Sequence, residues 1–165
     1  TGEKERTRLS YILQPMTQEQ AEDIAYNWHY EEPYSFYNME ADEEDLEEFL
    51  DPVSRKDEYY VVMEKEKLIG FFSFTLVAPQ VFDIGLGMQP NLTGKGKGTD
   101  FLKAGLQFAQ SRFKPAAITL SVATFNKRAI ALYKQIGFKE LETFNQTTNG
   151  GSYEFVKMLY ETAKE

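Results

Sequence analysis

Apolar and polar positions along this chain repeat with two different periods, and the switches between them lay out its elements. A period near two marks a strand with one covered face, and a period near 3.6 marks a helix with one covered face. The stretch "RTRLSYILQPM" reads as an opening strand preceded by a loose arm over residues 1–6. "TQEQAEDIAYNW" then switches to helical spacing, with Thr17 as a cap and Gln20 three residues later, the pattern of a capping box. A second, short helix is predicted from about Asp42 to Leu50. "EYYVVMEKEKLIGFFSFTLV" returns to strand character on both sides of the turn "EKEK". "QVFDIGLGMQP" is a further strand, and its Gly85 and Gly87 suggest a bulge or the close approach of another group.

Downstream, Leu102, Leu106, Ala109 and Phe113 share one helical face, and "AAITLSVA" is a buried strand. "NKRAIALYKQIGF" is a helix closed by Gly137, and "KELETFNQTTNGGSYEFVKMLY" is a hairpin turning at "TNGG". The order β-α-α-β-β-β-α-β-α-β-β predicts one mixed α/β domain over residues 1–165 with a mostly antiparallel first half. One segment resists both periods. The first half of "HYEEPYSFYNMEADEEDLEEFLD", residues 29–51, carries Pro33 and four aromatic residues, Tyr30, Tyr34, Phe36 and Tyr37, and reads as an irregular loop.

Composition narrows the function classes. The chain of 165 residues carries 18 Lys and Arg against 26 Asp and Glu, a net charge of −8, which argues against nucleic acid as a partner. It has no cysteine, hence no thiolate nucleophile or thiolate metal site, and a single histidine, His29, which argues against a histidine-rich metal site. No apolar run suits a membrane span, so a cytoplasmic protein without membrane association is expected.

Against that acidic background the stretch "NLTGKGKGTDF" stands out, with two lysines and three glycines between Gly94 and Gly98 at the mouth of a predicted helix. The P-loop pattern fails because neither Gly-Lys pair is followed by Ser or Thr, and the dinucleotide fingerprint fails because Thr99 stands where its third glycine belongs. A kinked strand, a turn and G-x-G-x-G running into a helix does fit. Bare backbone lets successive N–H groups approach a pyrophosphate at the positive end of the helix, with Lys95 and Lys97 adding charge at the rim. Read alone, the loop leaves a flexible turn with solvated lysines as the lesser alternative.

A second motif changes the weighing. "LSVATFNKRAIALYKQIGF" meets N-x-x-A-x-x-L-Y-x-x-x-G-F through Asn126, Ala129, Leu132, Tyr133, Gly137 and Phe138. Together with Thr93-Gly94-Lys95-Gly96-Lys97-Gly98, set against Q/R-x-x-G-x-G/A, the chain resembles the GNAT superfamily of acetyl-CoA-dependent N-acetyltransferases. Thr93 replaces the leading Gln or Arg of that pattern. "FDIGLGMQP" is similar to a strand of the branch that acetylates ribosomal proteins and small amines, with Asp83 where glutamate is common.

The resemblance implies a mixed, mostly antiparallel sheet of about seven strands flanked by about four helices and splayed between strands 4 and 5. It implies acetyl-CoA held by Gly94, Lys95, Gly96, Lys97, Gly98 and Thr99, by the channel residues Leu86 and Met88, and by Asn126. Tyr133 is then the acid that protonates the departing thiolate, and Asp83 the first candidate for general base, acting through water, with His29 behind it. Plainer readings stay open: a buried helix tyrosine, a helix cap at Asn126 and an ion-paired Asp83.

The resemblance implies an acceptor pocket in residues 27–49, with Tyr30, Tyr34, Phe36 and Tyr37 enclosing an amine and Glu31, Glu32 and the run "EADEEDLEE" giving negative potential suited to a cation. The alternative, that the aromatics are core and the acids an exposed helix face, stays open. Peptide N-termini, polyamines and aminoglycoside-like amines all match, by direct attack in a ternary complex. A homodimer through the C-terminal hairpin or an edge strand is compatible with this fold. A non-catalytic acyl-CoA sensor is the rival reading.

Overall fold

Alternation along the central strands assigns their side chains to two separate cores. In the computed structural model, which describes residues 5–6, 11–93 and 96–162, strand β3 (Tyr59–Glu64) turns Val62 to one face and Val61 to the other. Strand β4 (Lys67–Ala78) does the same with Phe72 and Phe71. Both pairs are nearly or fully buried, so the sheet is covered on both sides at its centre. The β3–β4 turn places Lys65 and Glu66 at positive φ, the geometry of a tight hairpin.

The larger core lies between the sheet and two helices, α4 (Gly98–Phe113) and α5 (Lys127–Ile136). Phe101 of α4 stacks on Phe72 with centroids 4.6 Å apart, and Phe108 meets Tyr60 at 4.8 Å. The smaller core lies under α1 (Gln18–Asn27) and α2 (Glu43–Leu50), where Ile24, Trp28 and Phe49 cover Val61 and Phe71. The expected capping box of α1 forms, Thr17 and Gln20 each accepting from the other's backbone N–H.

The remaining strands are β1 (Glu5–Arg6), β2 (Ile12–Pro15), β5 (Val81–Met88), β6 (Ala117–Ala123), β7 (Lys139–Thr148) and β8 (Gly151–Glu161). They order as β1-β2-β3-β4-β5-β6-β8-β7, and β5–β6 is the parallel pair. Seven of the strands are those expected. The eighth, β1, pairs Glu5 with Leu13 and Arg6 with Ile12, so the end of the supposed loose arm joins the sheet. Among the described residues the α-helices number five because a single turn, α3 (Pro52–Arg55), follows α2 directly. Its Asp51 cap and Pro52 at the first helical position are local signals that the periodicity did not register.

The aromatic segment is also more regular than expected. Residues Tyr34–Tyr37 and Met39–Ala41 form two consecutive 3₁₀ turns. A period of three over so few residues leaves no amphipathic pattern to read.

The parallel pair positions the site. β5 and β6 pair only at Val81–Ala117, Phe82–Ile118 and Asp83–Thr119, and then diverge. From Ile84 to Met88 and from Leu120 to Ala123 the facing edges are open, which is the expected splay between the fourth and fifth of the seven substantial strands.

Candidate active site

The splay opens a cavity of about 670 Å³ that runs through the sheet. One mouth lies against the N-terminus of α4, with Gly96, Gly98 and Thr99 on its wall. The other lies under α1, α2 and the aromatic segment, where Tyr30, Tyr34, Phe36 and Tyr37 line it. Leu86, Met88, Asn126 and Tyr133 line the channel between them. Gly87 leaves room for the ring of Phe71, which a Cβ at that position would strike.

The amino end of α4 is unlike the others. Thr17, Asp42, Asp51 and Asn126 each accept a backbone N–H at the start of α1, α2, α3 and α5 through their side chains. Among the described residues α4 has no side-chain cap. Its first amides are therefore donors available to a ligand, and an anion is what such a set accommodates. Gly96 at φ +75° faces open space, with nothing within 4 Å of a Cβ built on it. These features fit the pyrophosphate of coenzyme A. Gly94 and Lys95 lie outside the described residues, and Lys97 is exposed at the rim without lining the cavity.

Tyr133, on α5, is 8% exposed, and its ring packs against Phe138 at 5.8 Å. Burial pushes its phenol well above the ordinary tyrosine value, and the neighbouring Tyr37 adds to this, so the hydroxyl keeps its proton. Asn126 has both ends of its amide engaged. Oδ1 accepts from the Ala129 N–H at 3.1 Å as the cap of α5, and Nδ2 donates to the Tyr37 hydroxyl at 3.2 Å. Thr93, the replaced Gln or Arg, turns its hydroxyl to the Pro90 carbonyl at 2.8 Å.

Two expected residues sit apart from the channel. Asp83 occupies the apex of the splay, the last paired position of β5, and does not line the cavity. Its carboxylate accepts from Thr119 Oγ1 at 2.7 Å. Burial raises its pKa above the usual carboxylate value, against the opposing pull of the Thr119 hydroxyl and the Lys157 charge. His29 is exposed and paired with Glu40 at 2.6 Å, away from the cavity wall.

The aromatic end of the cavity also holds residues that the sequence pattern did not single out. Trp28, Phe49, Tyr59 and Phe71 form its floor, and Phe49 lies 5.5 Å from Phe71 and 5.6 Å from Tyr59. Asp45 and Glu48, one turn apart on α2, stand at its edge. Burial and the nearby Asp42, Glu48 and Glu44 charges hold the Asp45 carboxyl above its ordinary value. Arg128 lies over the Tyr34 ring at 4.4 Å. Floor aromatics are indistinguishable from core in a sequence. The shared-face alternation of Tyr59 and Phe71 was the available signal.

Comparisons with known proteins agree with this fold. The model of the acetyltransferase (GNAT) domain matches residues 11–139. The chain therefore belongs to the GNAT family, and its activity is acetyl-CoA-dependent N-acetylation. A comparison with curated protein sequences finds no match. Among solved structures, a chimera of the spermidine N-acetyltransferase SpeG from Vibrio cholerae and hSSAT is 19% identical at a TM-score of 0.70, covering 92% of this chain and 95% of that one. A protein assigned as a phosphinothricin N-acetyltransferase is 17% identical at a TM-score of 0.69, covering 94% and 100%. A GNAT-family acetyltransferase from Bacillus anthracis is 13% identical at 0.66, covering 97% of each. At these identities the likeness shows the fold. No helix among the described residues is long and apolar enough to cross a membrane.

Proposed function

We propose that this protein acetylates a cationic primary amine in a ternary complex, with the two substrates meeting inside the splay. The observation that carries the reading is the through-sheet cavity itself, which joins an uncapped helix terminus to an aromatic and acidic chamber. Bound acetyl-CoA supplies an activated acetyl group and departs as a thiol.

The amides of Gly96, Gly98 and Thr99 hold the pyrophosphate, and Lys97 adds charge at the rim. Gly94 and Lys95, expected to complete this cradle, belong to the same proposal. Leu86 and Met88 line the channel for the pantetheine arm, and the Met88 N–H polarises the reacting carbonyl. Tyr133 keeps its proton across the neutral range and gives it up where negative charge develops on sulfur. Asn126 contributes by fixing the start of α5 and hence the position of Tyr133 seven residues later. Asp83, at the apex, takes the ammonium proton through water, and its raised pKa brings it closer to the working range of a base.

On the acceptor side, Tyr34, Phe36 and the floor aromatics enclose apolar parts of the amine, and Asp45 and Glu48 attract its charge. A polyamine is the first acceptor to test, since a structural neighbour is a spermidine N-acetyltransferase.

Thiol release from acetyl-CoA, followed across polyamines, aminoglycosides and short peptides, tests the proposal directly. The chain has no cysteine to contribute background. Release dependent on cationic amines, and falling at least tenfold in kcat for Tyr133→Phe with CoA affinity unchanged, is the expected result. Release with neutral amines alone would overturn the acceptor assignment. A wild-type rate in Tyr133→Phe would remove the acid role.

A further inference from the structure

Tyr30 and Tyr37 belong to one short segment, yet their hydroxyls reach opposite lips of the splay. Tyr30 donates to the Met88 carbonyl at 2.7 Å, at the free end of β5. The N–H of that same peptide unit, on Gln89, donates to the Ile69 carbonyl at 2.8 Å. The peptide plane is thus held from both edges, and Met88 carries the neighbouring N–H that faces the thioester in the reading above. On the other lip, Tyr37 accepts from Asn126, the residue that caps α5 just beyond the end of β6.

The segment between the two tyrosines is closed on itself and anchored. The Tyr30 N–H donates to Asn38 Oδ1 at 2.8 Å, making a loop of the intervening residues. Asn149 Nδ2 donates to the Phe36 carbonyl at 2.8 Å, and the Tyr37 ring packs edge-on against Phe36 at 5.2 Å. A braced segment tied to both sides of a gap fixes the width of the gap.

We infer that Tyr30 and Tyr37 are positioning residues whose hydroxyls set the width of the cofactor channel, so that the acceptor segment and the cofactor site are energetically coupled. The inference rests on the splay being the coenzyme A channel. The substrate-binding role expected of both rings is compatible with it, since ring faces and hydroxyls do different work.

Titration calorimetry with CoA on the wild type, Tyr30→Phe, Tyr37→Phe and the double variant tests it. Each single variant is expected to bind about tenfold more weakly, because a polar partner loses its hydrogen bond. The double variant is expected to lose about tenfold as well, since cutting either tie already releases the gap. Unchanged singles, or a double variant near a hundredfold, would overturn the coupling while leaving the cofactor site in place. A wild type that does not bind CoA would instead remove the reading beneath it. One measurement needs no variant: CoA binding to the wild type should slow amide hydrogen exchange over residues 34–38 as well as 85–88. Protection confined to residues 85–99 would overturn the inference.

Discussion

Burial raises the pKa of both Tyr133 and Asp83, and the consequence differs with the charge each must carry. A phenol with a raised pKa stays neutral and remains a donor. A carboxyl with a raised pKa is penalised in its ionised form, the form a base needs. Folding therefore favours protonated Asp83, and its contribution to stability is complete below the usual carboxylate value of 3.8 and declines as pH rises through the raised folded value. Asp83→Asn should then be at least as stable as the wild type at neutral pH, with the wild type gaining on it as pH falls toward 3.8. Thermal midpoints of the two proteins across that range provide the check, and a wild type consistently more stable at pH 7 would contradict it. Its turnover should fall most where the wild-type carboxylate is ionised, above its raised pKa, and the acidic limb which that carboxylate imposes should disappear from the pH profile. Asp83 was legible as a candidate because "FDIGLGMQP" resembles a family strand on which glutamate is common at that position. Its distance from the channel was not, because that depends on where β6 stops pairing.

At the scale of elements, the informative contrast is between α4 and the four helices that begin with a side-chain cap. Helix-start amides without a side-chain cap among the described residues are met by water or by a ligand. Gly96 holds a left-handed φ at this loop, so any side chain there is strained by about 1 kcal/mol, yet it meets open space. Gly96→Glu should consequently leave the domain folded and abolish CoA binding, because its carboxylate takes the place of the phosphate. Gly96→Ala, carrying only the strain, should bind CoA with a modest loss. Calorimetry that finds unchanged affinity in Gly96→Glu would sink the loop assignment. The loop and α5 were legible because local motifs encode them. The single turn α3 and the 3₁₀ turns were not, because they are too short to establish a period.

Across the whole molecule, Asp42 joins parts of the chain more than a hundred residues apart. It caps α2 by accepting the Asp45 N–H at 3.0 Å, and it accepts the Asn149 N–H at 2.8 Å and the Thr148 hydroxyl at 3.0 Å from the β7–β8 turn. These donors, the Asn149 N–H foremost, hold its pKa below the ordinary value. The stability it contributes is present above the usual value of 3.8 and lost as pH falls through the depressed one. Asp42→Ala should therefore melt below the wild type at pH 7, and the gap should close in acid. Parallel melts from pH 7 to pH 2 decide this. A gap that stays constant would mean that the carboxylate is not the tie.

The sequence by itself determined the alternation of β3 to β6, the capping box of α1, the glycine loop and the complete second motif on α5. All are encoded by neighbours within a few turns or one hairpin, where periodicity and capping chemistry act. It also carried the aromatic residues of the segment after α1, though not their work. Only the tertiary structure decided that Tyr30 and Tyr37 grip opposite lips of the splay, that Trp28, Phe49, Tyr59 and Phe71 form the floor of a pocket, and that His29 faces solvent beside Glu40. The reason is physical. Where two strands cease to pair is set by the packing on both of their faces, and the cavity that results is bounded by residues whose separation in sequence, 58 for Tyr30 and Met88 and 89 for Tyr37 and Asn126, no local pattern records.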